Sequence, residues 1–531
     1  MSVRVRFAPS PTGHVHIGNI RAAILNWLFA RHEGGQFLLR VEDTDRERST
    51  PEAVQTLLAA MQWLELEPDE EPVYQSTRRP RHDAAVAAMI ERGLASRITP
   101  DGPAVLHMTS ALFDPSFVTE SRHPVEIDVS QAETAISAPG VAVTTRGAGR
   151  EAVTERLNWD ALTDLEIATA DAATHSGAAL RARAGESREP VALESLLGSR
   201  PVSLRFRRRF VHYDDLVLGR LEKPLDSIRD LVIARADGSP VFHLANCVDD
   251  HEMGVTHVLR GNDHVENTYR HLFIYRAMGV TPPQFGHFPM ILNDRGRPYS
   301  KRDGDAYVGD FQARGILPDC LFNFLALCGW SPGDDREVMS KAEMIEAFTL
   351  DRVVKSGAQL NMKKLLWMNQ RYIAAMPPEK LQAALRGELR RAGRDPDAVD
   401  PAWFAFLAEQ MRPRLRTLAE FPVETACFFD EDVTIDDKAR RKVLLANGGA
   451  GLDVLRRVRE PLAAAGDWTV ASLETAITAF LEASGLEIGQ VAQPLRVAVT
   501  GRAASPGIHE TLFLVGRERT LRRIAEALRS E

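Results

Sequence analysis

Cysteine is scarce in this chain. Cys247, Cys320, Cys328 and Cys427 are the four thiols in 531 residues, and no C-x-x-C pair occurs. Neither a disulfide framework nor a thiolate zinc site is expected, and a reducing compartment fits. Long apolar runs are missing as well. The apolar stretch CLFNFLALCGW falls well short of the roughly 20 residues that span a bilayer, and the opening MSVRVRF has no signal-like apolar core. A cytoplasmic protein with no membrane partner is expected. Positive charge is not in excess, with a net charge of −8. That argues against indiscriminate binding to nucleic acid, yet leaves room for a shaped site with local arginines. What is present is a globular composition, 44% hydrophobic and 26% charged. The chain is long enough for three or more domains at about 100–200 residues each.

The most informative stretch is RFAPSPTGHVHIGN, Arg6 to Asn19. Before it, Val3, Val5 and Phe7 alternate with Arg4 and Arg6, a period of two that suits a strand and turns Arg6 toward a site or solvent. The prolines cannot continue a ladder, and Gly13 permits a tight path, so a turn follows. Ile20, Ala23, Ile24, Trp27 and Leu28 then recur at helical spacing. A buried helix is expected just after HIGN, ending at Gly34-Gly35, with QFLLRVE as a second strand and EDTDRE as an acidic turn. Strand, turn, helix and strand make a nucleotide-binding βαβ beginning, in which a helix N-terminus offers N–H groups to phosphate. His16 would sit at that phosphate, and Gly18 has no side chain to block base or ribose. Taken alone, H-x-G reads more readily as a solvated turn, and H-x-H as two ligands without the third that a metal site needs.

The longer string RFAPSPTGHVHIGNIRAAILNWLFARHEGGQFLLRVEDTDRER resembles the N-terminus of the glutamyl-tRNA synthetases, class I enzymes whose HIGH signature stands here as His16-Ile17-Gly18-Asn19. Their second signature, KMSKS, has its counterpart in RPYSKRDGD, with Ser300-Lys301-Arg302 retained and Pro298 and Tyr299 in place of the usual lysine and aliphatic residue. The stretch Gly238 to Gly279 between them is similar to the family's second half-site, although Asn262-Asp263-His264 replaces its usual EDH. The resemblance implies ATP-binding by Thr12, His16, Gly18, Asn19, Ser300, Lys301 and Arg302, with His16 and Lys301 as catalytic electrostatic clamps. It implies glutamate-binding by Arg6, Ala8, Ser10, Glu42, Phe242, Asn246 and Arg260. Arg260 would take the side-chain carboxylate by paired charge-assisted bonds and Glu42 the ammonium. Phe242 stands where many relatives have tyrosine.

The implied fold is an α/β Rossmann-like class I catalytic domain split by an inserted acceptor-binding domain and followed by an all-α anticodon-binding region. Residues 1–94 and 211–310 would form the two catalytic halves, 95–210 the insertion, 311–376 a stem-contact helical domain and 377–531 the helical anticodon-binding domain. From about 95 to 201 nothing familiar is recognised, and the small-residue content reads as a loose subdomain or partly disordered insertion. Arg205 to Arg209 would meet the tRNA acceptor stem or form a solvated basic strand. MRPRLRTLAEF and GRERTLRRIAEALR read as amphipathic helices, and NGGAGLD lacks the lysine of a phosphate loop.

The activity implied is ATP-dependent activation of L-glutamate and its transfer to tRNA(Glu), with Mg²⁺ held by the nucleotide and a monomeric state. Three other readings stand beside it. A shortened paralogue that glutamylates a tRNA base would lack the C-terminal helices. A glutaminyl enzyme would carry DDTNP where Glu42-Asp43-Thr44-Asp45 stand here. A non-catalytic, diverged synthetase-like nucleotide- or RNA-binding protein would tolerate the departures around Pro298 and Tyr299. The insertion offers His107, His123 and His175 without a thiolate, at spacings that match no ligand pattern. Elemental analysis of the purified chain should therefore find no zinc, and a stoichiometric amount would overturn that expectation.

Overall fold

The strand Arg4–Phe7 is followed by the helix Ile17–His32 and the strand Gln36–Val41, which pairs in parallel with the first so that Val5 opposes Phe37 and Phe7 opposes Leu39. This is the βαβ start expected from the alternation and the helical spacing. The computed structural model describes residues 2–11, 13–45, 49–146, 152–185, 189–300 and 302–529. Thr12 and Lys301 lie outside the described residues. The helix begins at Ile17 rather than after Asn19, because the His16 side chain caps it by accepting from the Gly18 N–H. It ends at His32, and Gly34 follows at φ +61°. At Gly35 a Cβ would lie 2.3 Å from the Val3 carbonyl oxygen, so the turn into the second strand requires glycine there.

The chain forms two compact units, residues 1–308 with 325–360, and residues 309–324 with 361–531. In the first unit, Val73–Tyr74 extends the parallel sheet beyond Gln36–Val41. A second parallel pair, His257–Gly261 with Gln284–Phe288, is joined by the helix Val265–Met278. The two groups meet where the Thr256 N–H donates to the Arg4 carbonyl at 2.9 Å. Parallel strands are covered on both faces by their crossovers. Arg6 is accordingly buried rather than turned to solvent, at 3% exposure.

A buried arginine needs a partner, and the helix Phe242–Glu252 supplies it. Asp250 accepts from Arg6 Nε at 2.8 Å and from Arg40 Nη1 at 2.5 Å. Its neighbour Asp249 accepts from His82 Nε2, Gln75 Nε2 and Arg78 Nε at 2.9, 2.9 and 2.7 Å. Two adjacent carboxylates thus tie this helix to strands and helices that lie far earlier in the chain.

The described residues of the segment expected to be loose form regular strands and helices. Ala132–Ser137, Gly140–Thr145 and Val153–Asn158 form successive antiparallel pairs, with Val191–Ala192 on the outer edge. Ile136, Val141, Val143 and Leu157 point into a core shared with Leu180, Leu204 and Phe206. The composition is poor in large side chains, but the apolar ones fall at a period of two, which is what a half-buried strand needs. The long strand Pro201–Asp215 runs out of that core and reaches the parallel sheet, where Asp215 opposes Phe285. On it Arg205, Arg207, Arg208 and Arg209 each have a carboxylate partner, in Glu166, Asp164, Glu155 and Glu120 respectively.

The second unit is helical. GRERTLRRIAEALR forms the helix Arg517–Arg529 as expected. MRPRLRTLAEF does not form one helix. The helix Pro401–Met411 stops ahead of Pro413, and a capping box at Thr417 and Glu420 starts a separate short turn, Leu418–Glu420. Asn447, Gly448 and Gly449 all take positive φ within NGGAGLD, a left-handed break between helical turns. Among the described residues no helix is long and apolar enough to cross a membrane.

Replacing Asp250 by asparagine should destabilise the first unit by about 3–5 kcal/mol, because two buried guanidiniums lose their shared charge. Burial pushes the Asp250 carboxyl up, but Arg40 and Arg6 outweigh it and hold it below its ordinary value. Its contribution is full above the unfolded carboxylate pKa and is lost as pH falls through the folded one, so the difference from wild type should narrow in acid. Denaturant unfolding at two pH values measures both, and coincident transitions at neutral pH would show that Arg6 and Arg40 are neutralised elsewhere.

Candidate active site

A cleft of about 440 Å³ opens where the first helix begins and the two parallel groups of strands meet. The end expected to take the amino acid is built from Arg6, Ala8, Ser10 and Glu42 on one side and Phe242, Asn246 and Arg260 on the other. The end expected to take the nucleotide is built from His16, Gly18 and Asn19. The structure therefore brings together ten of the residues singled out in the sequence. Ser300 and Arg302 do not line the cleft, and Thr12 and Lys301 fall outside the described residues.

At the nucleotide end His16 Nδ1 accepts from the Gly18 N–H at 3.1 Å. A ring nitrogen that accepts carries no proton, so the proton lies on Nε2. Burial keeps the ring neutral by lowering its pKa. His16 is thus both the cap of the helix and a donor beside its N-terminus. The segment after the second signature is laced to the first. The Ile17 N–H donates to the Ala306 carbonyl at 2.9 Å, and the Val308 N–H to the Val15 carbonyl at 3.1 Å. Tyr307 packs against His14 with ring centres 5.1 Å apart. Pro298 and Tyr299, the two departures from the family signature, form part of the cleft wall, and the Tyr299 hydroxyl donates to the Asp305 carbonyl at 3.1 Å. Asp303 accepts from Ser300 N and Oγ, each at 2.9 Å.

At the amino-acid end Glu42 accepts from Arg40 Nη2 at 3.2 Å and from Asn246 Nδ2 at 2.8 Å. Burial raises its pKa, opposed by Arg40 and Arg6. Arg260 is 8% exposed. Its Nε points at His287 Nε2 (3.2 Å), and its Nη2 donates to Thr268 Oγ1 (2.7 Å) and to the His264 carbonyl (3.3 Å). Burial, and then the nearby charge of Arg6, pull its pKa down to about 10. Among the described residues no carboxylate pairs with it. Phe242 packs against a neutral wall, since His243 lies 3.2 Å from buried His271 and is pulled down to about 4 by burial, Arg270 and Arg260. Among the described residues no group of three or more His, Cys, Asp or Glu side chains could hold a metal ion.

A parallel nucleotide-type sheet, a histidine-capped helix at its switch point and a segment after the second signature laced onto the first define a class I tRNA synthetase. Residues 2–101 and 194–367 match the family described as tRNA synthetases class I (E and Q), catalytic domain, and residues 372–528 match the anticodon binding domain family. The chain belongs to the glutamate–tRNA ligase family. It is 36% identical over 532 residues to the glutamate–tRNA ligase of Thermodesulfovibrio yellowstonii, and equally so to that of Xanthomonas campestris pv. campestris, covering 99% of each chain in both pairs. Among solved structures, the glutamate tRNA ligase of Elizabethkingia meningosepticum in complex with its amino acid matches over 100% of both chains, at 25% identity and a TM-score of 0.71.

Sequence reasoning missed Arg40 and Asp250, which fix Arg6 and Glu42, and it missed the groups behind Arg260. The only available signal was the presence of charged residues inside runs that otherwise read as buried, Arg40 in QFLLRV and Asp249-Asp250 in FHLANCVDDHE.

Because His16 caps and donates through different nitrogens, the two roles separate. His16→Asn keeps an acceptor for the Gly18 N–H and should unfold with wild type, whereas His16→Ala should lose about 1 kcal/mol of stability. Both should lose about two decades of ATP-dependent turnover. Turnover near wild type in His16→Asn would reduce His16 to a cap.

Proposed function

We propose that this cleft activates L-glutamate with ATP and that the chain transfers the glutamyl group to tRNA(Glu). The observation that carries this reading is Arg260, a buried guanidinium in the cleft wall with no carboxylate of its own among the described residues. Arg6 and Arg40 are ion-paired with Asp250 and Glu42, whereas Arg260 has no bonded carboxylate among the described residues. Bound glutamate carries one ammonium and two carboxylates, and so can supply one. Its ammonium meets Glu42, and its side-chain carboxylate meets Arg260.

The α-carboxylate oxygen then attacks the α-phosphorus of ATP, the bond to the bridging oxygen breaks, and pyrophosphate leaves. A hydroxyl of the 3′-terminal adenosine of tRNA attacks the acyl carbon next, and AMP departs. No side chain becomes covalently attached, so the residues act by position and charge. His16 Nε2–H and Lys301 stabilise charge on the phosphates, with Gly18 and Asn19 at the nucleotide and Thr12, Ser300 and Arg302 supporting it. The chain offers no metal cage among its described residues, and Mg²⁺ would arrive held by the nucleotide and water. Residues 95–210 would face the acceptor arm, 311–376 the stem and 377–531 the anticodon, in a cytoplasmic monomer.

Glutamine tests the reading. A guanidinium has only donors, so an amide would present its NH₂ to a buried positive charge, and discrimination of about 10⁴-fold is expected from the pocket alone. Arg260→Gln should lose most glutamate activity and narrow that ratio. Comparable kcat/KM for the two amino acids in wild type, or an unaffected variant, would sink the assignment.

A further inference from the structure

Arg260 is held from behind by a chain of buried polar groups that the reaction itself does not use. His287, with no exposed surface, stands 3.2 Å from Arg260 Nε through its Nε2 and 2.5 Å from Asp215 Oδ2 through its Nδ1. A guanidinium can only donate, so His287 Nε2 must accept. The ring proton then lies on Nδ1 and is donated to Asp215. Asp215 is itself fixed, because its Oδ1 accepts from the Val217 and Leu218 N–H groups at 2.9 and 2.8 Å and from the His287 N–H at 3.2 Å.

We infer that Asp215 and His287 are positioning residues for glutamate recognition: Asp215 sets the tautomer of His287, and His287 sets the angle of the Arg260 guanidinium. The inference rests on the proposed role of Arg260. Nε and Nη2 are engaged by His287, Thr268 and the His264 carbonyl, so the plane of the guanidinium is fixed before substrate arrives. These contacts use Nε–H and both Nη2 N–H bonds, so the two Nη1 N–H bonds remain for a carboxylate, and their direction depends on that plane. With the opposite tautomer, His287 Nε2–H would oppose Arg260 Nε–H, and the guanidinium would have to rotate away.

Two amides at position 287 separate this role from a merely structural one. Asparagine places its amide near the ring Nδ1 and can still meet Asp215, but it stops short of Arg260. Glutamine carries an oxygen to the position of Nε2 and can still accept from Arg260. Glutamylation of tRNA by the full chain is measured with L-glutamate and ATP titrated separately. His287→Asn should raise the KM for glutamate by about 10–100-fold, as expected for a mis-set buried polar contact. The KM for ATP should stay within about twofold, and His287→Gln should stay within about threefold of wild type for both. Should His287→Asn fail to fold, Asp215→Asn carries the same test. Its carbonyl still serves Val217 and Leu218, while its NH₂ group reverses the tautomer of His287, so the same glutamate-selective rise is expected. An unchanged glutamate KM, an equal rise for glutamate and ATP, or His287→Gln as impaired as His287→Asn overturns the assignment. A wild type that glutamylates no tRNA removes the proposed function, and this inference with it.

Discussion

Asp250 sits between two guanidiniums at a point that solvent does not reach, and the amino-acid end of the cleft takes its shape from that contact. Arg6 belongs to the first strand, Arg40 to the second and Asp250 to a helix some two hundred residues later. Burying these charges costs several kcal/mol per ion unless each is paired and hydrogen-bonded. The pairing can be satisfied only when the two halves of the sheet are assembled, so the network makes the cleft conditional on the fold. It also sets the state of Glu42. Burial alone would favour the neutral carboxylic acid, which lacks the charge that pairs with an ammonium, and Arg40 opposes that tendency through its contact with Glu42.

The sequence made the first βαβ unit legible because both of its signals are local. Alternation over four residues and apolar recurrence over a dozen need no knowledge of distant partners. The cleft residues were legible for a different reason, resemblance over long strings, and the structure sets ten of them around one space. The burial of Arg6 was not legible. A period of two with arginine on one face describes a half-exposed strand as well as a central parallel strand with an ion pair, and only the position of Asp250 separates the two. Asp215 and His287 were invisible for the same reason, since their relation spans 72 residues and crosses from one strand to another.

The insertion failed to read as ordered because composition was weighed above period. Ala, Ser, Thr and Gly carry little apolar area, yet Ile136, Val141, Val143 and Leu157 occur at the inward positions of their strands, and a few large side chains close the core. The arginine-rich stretch on the neighbouring strand read two ways, as a contact for the acceptor stem or as a solvated strand. Four arginines in five residues look like an anion-binding surface, but strands that flank them bring an acidic partner to each. Exposed pairs of this kind contribute little stability.

The strand Pro201–Asp215 connects these two regions physically. At about 3.3 Å per residue its fifteen residues extend over roughly 50 Å, long enough to belong to two cores. Leu204 and Phe206 lie in the core of the insertion, while Val211 and Tyr213 lie in that of the catalytic sheet. Its last residue, Asp215, turns the chain by accepting the Val217 and Leu218 N–H groups and presents its other oxygen to His287. A strand anchored at both ends cannot slip by one residue without turning every side chain to the opposite face. The inserted core therefore does more than decorate the catalytic sheet: by fixing the register of this strand it fixes where Asp215 falls, and with it the contact from His287 to the Arg260 guanidinium in the cleft wall.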